Sequence, residues 1–167
     1  MTGTWWRIAR PDADPFHLTP EPADGRWQRG SVVRAFYLAD SEATAWAEWY
    51  RHSSELGVPP QSRLPRAMWR FDVELDGVAD LTDPEVLTAH GVKALQPTRR
   101  QWPKTQPIGE ACFRAGLPGL LVPSAAHAGG QVLVVFRPGD ESPPGVTPMR
   151  RPRTYAELPP LPTGLRT

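Results

Sequence analysis

The two-residue alternation of apolar and polar positions marks strands at Val32–Leu38 (VVRAFYL) and Trp69–Leu75 (WRFDVEL). In the first, Val33, Ala35 and Tyr37 fall on one face and Arg34, Phe36 and Leu38 on the other. Thr4–Ala9 (TWWRIA), rich in aromatic and β-branched residues, predicts an earlier strand. Gly119–Val122 and Gln131–Phe136 are short apolar runs, read as buried strands flanking a loop that holds Ser124. Helical spacing appears after Asp40-Ser41, either of which caps a helix to about His52 with Ala45, Trp46 and Trp49 as its apolar stripe. Asp83-Pro84-Glu85 starts a short helix that Gly91 ends. Thr105 is expected to cap a third helix to about Ala115, with Ile108, Ala111, Cys112 and Ala115 inward and Gly116 as its stop. Strands and helices mix without strict alternation, which predicts an α/β or α+β fold: one compact domain with a central mixed sheet and a few helices.

A chain of 167 residues has room for one domain. Residues 1–136 read as that domain, and residues 137–167 as a Pro/Arg-rich extended or mobile C-terminal arm. The arm has prolines at 138, 143, 144, 148, 152, 159, 160 and 162 and no period of either kind. Its Arg150-Arg151-Pro152-Arg153 cluster reads as solvated. Another polar, proline-broken segment runs from the first strand to Gly30, a length that in a small domain often carries function. No apolar stretch is long enough to span a membrane, and the opening residues, which lack a basic stretch followed by a long apolar run, do not read as a secretory signal. The single cysteine, Cys112, excludes an internal disulfide and fits a cytoplasmic location.

Charge changes the picture little. Nineteen basic residues against eighteen acidic ones argue against direct nucleic-acid binding. Lys93 and Lys104 are the only lysines, so arginine carries nearly all the positive charge; a GC-rich genome gives the same bias. Common catalytic signatures are missing. There is no phosphate-binding GxxxxGK[ST] loop and no GxGxxG, and Val122–Ala126 is not a GxSxG elbow. His17, His52, His90 and His127 are scattered, so no metal site is expected. His127 follows Ser124 by three residues without a third member to complete a triad.

What remains is Arg26-Trp27 in the polar loop, Tyr37 near a strand end, Glu48 in the next helix, and Ser124 after a buried strand. Each has a plain explanation alone: a surface arginine, a packed tyrosine, a solvated glutamate, a turn serine. Glu48, between Trp46 and Trp49, lies at the edge of the apolar stripe, where a carboxylate is partly desolvated. Five of the seven tryptophans, Trp5, Trp6, Trp46, Trp49 and Trp69, read as core or subunit-contact residues. An exposed cluster among them would mark contact with a protein partner or a second copy of the chain, as in a homodimer.

Taken together, Arg26-Trp27, Ala35–Glu48 (AFYLADSEATAWAE), Gly119–Ala126 (GLLVPSAA), Gly129-Gly130 and Leu133–Phe136 resemble the RES domain family, over roughly residues 5–137. Trp69–Leu81 and Trp102 with Thr105-Gln106 resemble its middle section. The resemblance implies a fold like that of ADP-ribosyltransferase toxins and an NAD+-consuming toxin of a toxin–antitoxin pair. NAD+ is then substrate rather than bound cofactor, inorganic phosphate is one candidate co-substrate, and the partner is an Xre-like antitoxin. It also implies the site. Arg26, Tyr37, Glu48 and Ser124 match the family's arginine, tyrosine, glutamate and serine, and Trp27 accompanies Arg26 in substrate binding. Many members have an asparagine after the Gly-Gly pair; here the chain runs Gln131-Val132-Leu133, so Gln131 takes that role or the contact is absent.

The residue types suit cleavage of the nicotinamide–ribose bond, which expels a neutral leaving group and leaves an oxocarbenium-like ribose. Arg26 would pair with pyrophosphate or an incoming phosphate, and Tyr37 would offer a ring face to nicotinamide. Glu48 would accept from a ribose hydroxyl beside the developing cation, and Ser124 would bond the nicotinamide amide or a phosphate. Cleavage of free NAD+, by hydrolysis or phosphorolysis, is favoured over ADP-ribosylation of a protein, because nothing suggests a protein-substrate groove. Two rivals stand beside it. One is a degenerate RES domain kept as an interaction module; the other is a partner- or nucleic-acid-binding protein using its tryptophans and arginines.

Overall fold

The computed structural model describes residues 1–17, 23–137, 139, 142–149 and 151–166. Its strands are β1 (Thr2–Ala9), β2 (Arg34–Ala39), β3 (Arg66–Glu74), β4 (Ala79–Asp80), β5 (Gly119–Pro123), β6 (Gln131–Arg137), β7 (Val146–Pro148) and β8 (Arg153–Tyr155). The helices are α1 (Glu42–Glu55), α2 (Pro84–Ala89) and α3 (Trp102–Arg114). The strands form one sheet in the order β4-β5-β6-β2-β1-β3-β7, with β8 also on β3. Among the described residues only β4 with β5 is parallel; the other pairs are antiparallel.

Register explains where a cavity opens. β1 pairs with β3 along its whole length, from Thr2↔Glu74 to Ala9↔Ala67. With β2 it shares one pair, Trp6↔Ala39, after which the two strands part. β2 instead stays with β6 from Ala39↔Val132 to Arg34↔Arg137. Unpaired edges inside a sheet leave backbone and side chains facing a gap, which here is open to ligands.

Both faces of the sheet are buried, as the apolar runs of β5 and β6 require. Ala35 of β2, Val122 of β5 and Val132 and Val134 of β6 pack with Trp27, Leu87 and Ile108 on one side. Phe36, Leu38, Leu133 and Val135 pack on the other side with Phe71 and Val73 of β3. Although β1 stands between β2 and β3 in the order, the rings of Phe36 and Phe71 meet edge to face at 5.3 Å. A third cluster joins Ala45, Trp46, Trp49 and Tyr50 of α1 to Met68. Trp5, Trp46 and Trp49 are buried, and Trp6 and Trp69 half-buried against these clusters, so these five form no exposed patch. Among the described residues no helix is long and apolar enough to cross a membrane.

Ser41 caps α1, its Oγ accepting from the Thr44 N–H at 3.1 Å, and Asp83 caps α2 by accepting from Glu85. Two expectations need correction. α3 begins at Trp102, not at a Thr105 cap; the Thr105 hydroxyl is inside the helix and donates to the Arg26 carbonyl. The inward stripe of α3 is half as expected: Ile108 is buried and Cys112 packs on the core, but Ala111 and Ala115 are exposed, and Thr105, Gln106, Gly109 and Glu110 are buried instead. The expected mobile arm differs as well. β7 and β8 both pair with β3, Arg153 stacks over Tyr155, and residues 156–166 lie back over α1 and the Ser124 loop. Prolines break periodicity but do not prevent edge pairing when the N–H that they lack would face solvent. Pro138 and Arg150 lie outside the described residues, as do residues 18–22 of the polar loop.

Candidate active site

A cavity of about 660 Å³ fills the parting of β1 and β2 and runs between loop 23–28 and α1. Arg26, Tyr37 and Glu48, distant in sequence, line it together. Ser124 does not line it; it stands behind Glu48.

Glu48 is in the second turn of α1, between two buried tryptophans, with its side chain 27% exposed. Its Oε1 accepts from Ser124 Oγ at 2.7 Å and its Oε2 from Arg51 Nε at 3.0 Å. Arg51 continues to Glu55, and Glu55 to Arg99 at 3.7 Å, so the carboxylate is held in a charged chain along one cavity wall. The Ser124 hydroxyl is fully used. It donates to Glu48 and accepts from the N–H groups of Ala126 and His127, at 3.1 and 3.0 Å. With 2% exposure, both lone pairs filled and its proton given to Glu48, it is placed to orient the glutamate rather than to face the cavity.

Tyr37 points from β2 into the cavity, and its hydroxyl donates to Gln28 Oε1 while accepting from the Trp27 N–H at 3.3 Å. Burial pushes the phenol well above its ordinary pKa, so it is neutral and its ring is fixed at the hydroxyl end. A side chain at Gly25 would meet that hydroxyl at 2.4 Å, which requires glycine there. Trp27 is 2% exposed and packs in the core, where it anchors the loop, and it also contributes to the cavity lining.

Arg26 is 8% exposed, and its Nη2 donates to the carbonyls of Gln96 at 2.8 Å and Thr98 at 3.5 Å. Its Nη1 is buried without a partner among the described residues. Burial, then Arg51, lower its pKa; Glu48 and Glu55 oppose them. An unpaired buried donor on a cation costs more than the usual 1–3 kcal/mol of a neutral group, so the position favours an anion. The rest of the wall agrees. Arg7, Arg26, Arg34, Arg51 and Arg99 line the cavity against Asp24, Glu48 and Glu55, alongside Trp6, Ile8 and Trp49. Burial and Arg137 bring the Arg7 guanidinium down to about 10, still a cation at neutral pH. Gln131 does not line the cavity; its N–H donates to Asp40 at 2.8 Å, and Val132 faces the space. The asparagine-type contact is therefore absent on this wall.

The residues that hold loop 25–29 were missed in sequence. One face of α3 grips it: Thr105 on the Arg26 carbonyl, and Gln106 Nε2 on the carbonyls of Gly25 at 3.0 Å and Gln28 at 3.4 Å. Glu110, with its side chain fully buried, accepts from the Arg29 N–H, Nε and Nη2. Thr105 entered the sequence reading as a helix cap and, with Gln106, through the family resemblance, in neither case with this role; the other signal was a glycine, Gly109, inside a helix beside polar residues on its inner side. Arg29's hydrogen bonds hold the Glu110 carboxyl below the ordinary 4.5. A carboxyl lowered on folding stabilises the fold fully above its unfolded value and loses that contribution as pH falls through the folded one. Denaturant titrations of wild type and Glu110→Gln should therefore differ most above pH 4.5 and converge in acid. A difference independent of pH would show that the charge is immaterial.

Comparisons with known proteins identify the family. The family profile described as "RES domain" matches residues 4–154. A probable NAD(+) phosphorylase of Mycobacterium tuberculosis is 33% identical over 138 residues, covering 81% of this chain and 65% of the relative, slightly under two thirds of its length. The NAD(+) phosphorylase MbcT of Mycobacterium bovis is 30% identical over 141 residues, 80% of this chain and 74% of that protein. A chain in the crystal structure of the M. tuberculosis MbcT–MbcA toxin–antitoxin complex superposes with a TM-score of 0.77 at 26% identity, covering 93% of this chain and 85% of that one. A split mixed sheet, a cavity in the split and an arginine, a tyrosine and a serine-held glutamate around it thus coincide with a match over most of the chain, which belongs to the RES domain family.

Proposed function

We propose that this chain cleaves NAD+ at the nicotinamide–ribose bond and passes the ADP-ribosyl group to inorganic phosphate. The observation that carries this reading is the convergence, on one cavity, of a buried arginine nitrogen without a partner and a carboxylate held by two donors. A dinucleotide needs both: a cationic fork for its phosphates and a negative group beside the ribose that becomes cationic. The names of the similar mycobacterial proteins favour phosphate over water as acceptor.

The chemistry follows from the parts. The C1″–N bond breaks with its electron pair passing to the pyridinium nitrogen, so nicotinamide leaves neutral. Tyr37, neutral and pinned at its hydroxyl, gives the leaving ring a flat face and limits its rotation. Glu48 faces the positive charge that develops at C1″, and its fixed orientation spares reorganisation at that moment. Arg26 Nη1 holds a phosphate oxygen, either of the pyrophosphate or of the attacking anion. An oxygen of inorganic phosphate then bonds C1″, giving ADP-ribose 1″-phosphate.

As a toxin of this kind, the chain would be restrained by an antitoxin, as MbcT is found with MbcA, and family resemblance makes that partner Xre-like. Purified protein incubated with NAD+, with and without phosphate, should release nicotinamide only when phosphate is present, together with ADP-ribose 1″-phosphate identified by mass. ADP-ribose in both would make the acceptor water, and mass added to a protein would make it a side chain. NAD+ left intact throughout would overturn the reading.

A further inference from the structure

The last residues of the chain pack on the loop that carries Ser124. The main chain of Gly164 accepts from the Ala128 N–H at 2.9 Å, and Arg166 donates to the Ala126 carbonyl at 2.7 Å. Between these two bonds His127 and Leu165 face each other as a bridge, and Leu165 and Leu158 pack on the α1 tryptophan cluster. Residues 156–166 lie beyond the part of the chain that the RES profile matches.

The His127 ring ties three elements together. Nε2 is 2.9 Å from the Thr163 carbonyl, which only accepts, so Nε2 carries the proton. In the neutral imidazole Nδ1 then accepts, and the Thr44 hydroxyl at 2.8 Å must donate to it. Thr44 in turn accepts from Ser41 at 3.0 Å, and Ser41 Oγ accepts from the Thr44 N–H that it caps. One carbonyl of the terminal segment thus fixes a directed chain of bonds reaching the first turn of α1, the helix that bears Glu48. Gly130 leaves no slack beneath it: a Cβ there would lie 2.5 Å from Thr44 Oγ1 and 2.8 Å from His127 Nδ1.

The same histidine donates its backbone N–H to Ser124 Oγ. That bond and the one from Ala126 fill the hydroxyl's acceptor sites and leave its proton for Glu48. We propose that residues 162–166 act as a strap on the Ser124 loop, with His127 as its latch, and that His127 is a positioning residue acting on Glu48 through Ser124. This rests on the reading of Glu48 as the carboxylate beside the reacting ribose.

Two measurements decide it. In a double-mutant cycle on NAD+ cleavage, His127→Ala is expected to lower kcat about tenfold with little change in KM. Ser124→Ala should do at least as much, and the double variant no more than Ser124→Ala alone. Losses that multiply in the double variant would mean that His127 does not act through Ser124, and would overturn the proposal. The second measurement uses intact wild type and needs no substrate: amide hydrogen exchange at Ala126, His127, Ala128 and Arg166. A strap that holds the loop makes these four amides exchange through one shared opening. Separate openings for Arg166 and for Ala126 with His127 would overturn it. Wild type that leaves NAD+ intact would sink the functional reading instead, and exchange alone would then judge the strap.

Discussion

Replacing Glu48 by glutamine should reduce NAD+ turnover by roughly 10²–10³-fold, the usual loss when one preorganised charge is removed from the reacting centre. The substitution separates charge from shape. Glutamine has nearly the same volume, and its carbonyl oxygen can still accept from Ser124. Its amide would face Arg51 Nε, donor against donor, so Arg51 would fall back on Glu55, to which it is already bonded. That rearrangement occurs at a partly exposed ion pair, where net stabilisation is at most about 1 kcal/mol. Thermal unfolding should hardly move. Substrate binding should also survive, because removing a negative charge from a wall with five arginines does not weaken its hold on phosphates. The loss should therefore fall on kcat and leave KM largely unchanged. Wild-type kcat in a folded Glu48→Gln protein would refute the role assigned to Glu48. Glu48→Asp tests placement: the charge stays, but the shorter arm cannot keep both Ser124 and Arg51, so turnover should drop as well.

How far the sequence shows this site depends on how each residue acts. Strand and helix positions were legible because their signals are local: alternation set the two buried faces of β2, and the cap at Ser41 set the start of α1, hence the direction of Glu48. Tyr37, on the same strand face as Val33 and Ala35, followed from that alternation. Ser124 was legible as a residue but not in its role, because a hydroxyl's partners are decided by the loop fold and not by spacing. Trp27 is a case of the same kind: it lines the cavity beside Arg26, and only the packing of α3 beneath the loop shows that it also belongs to the core. The terminal residues were the largest miss. Their prolines erase periodicity, yet β7 and β8 need only the free edge of β3, a non-local feature. Thr105 shows the limit most plainly: a threonine before an apolar stripe looks like a cap, and here its hydroxyl serves the Arg26 carbonyl.

Gly109→Ala should destabilise the protein by about 3 kcal/mol, against the sign that helix propensity alone predicts. In a helix interior alanine is better than glycine by about 1 kcal/mol. The opposing term is steric. A Cβ at residue 109 would stand 1.9 Å from the Trp27 carbonyl oxygen and 2.9 Å from its carbon. Both atoms are backbone, so no rotamer change relieves the overlap; α3 and loop 25–29 must separate. Separation strains the bonds from Thr105 to Arg26, from Gln106 to Gly25 and from Arg29 to Glu110, each worth on the order of 1 kcal/mol net. The steric term wins. Arg26 moves with its loop, so turnover should fall more than tenfold even where the variant is fully folded, and unlike in Glu48→Gln the loss should include a higher KM, since the phosphate-binding fork is what shifts. Gly3→Ala is the matched control: its Cβ would meet nothing nearer than 3.7 Å, and it should leave stability and turnover alone. A Gly109→Ala protein as stable and active as wild type would mean that α3 does not set the position of Arg26.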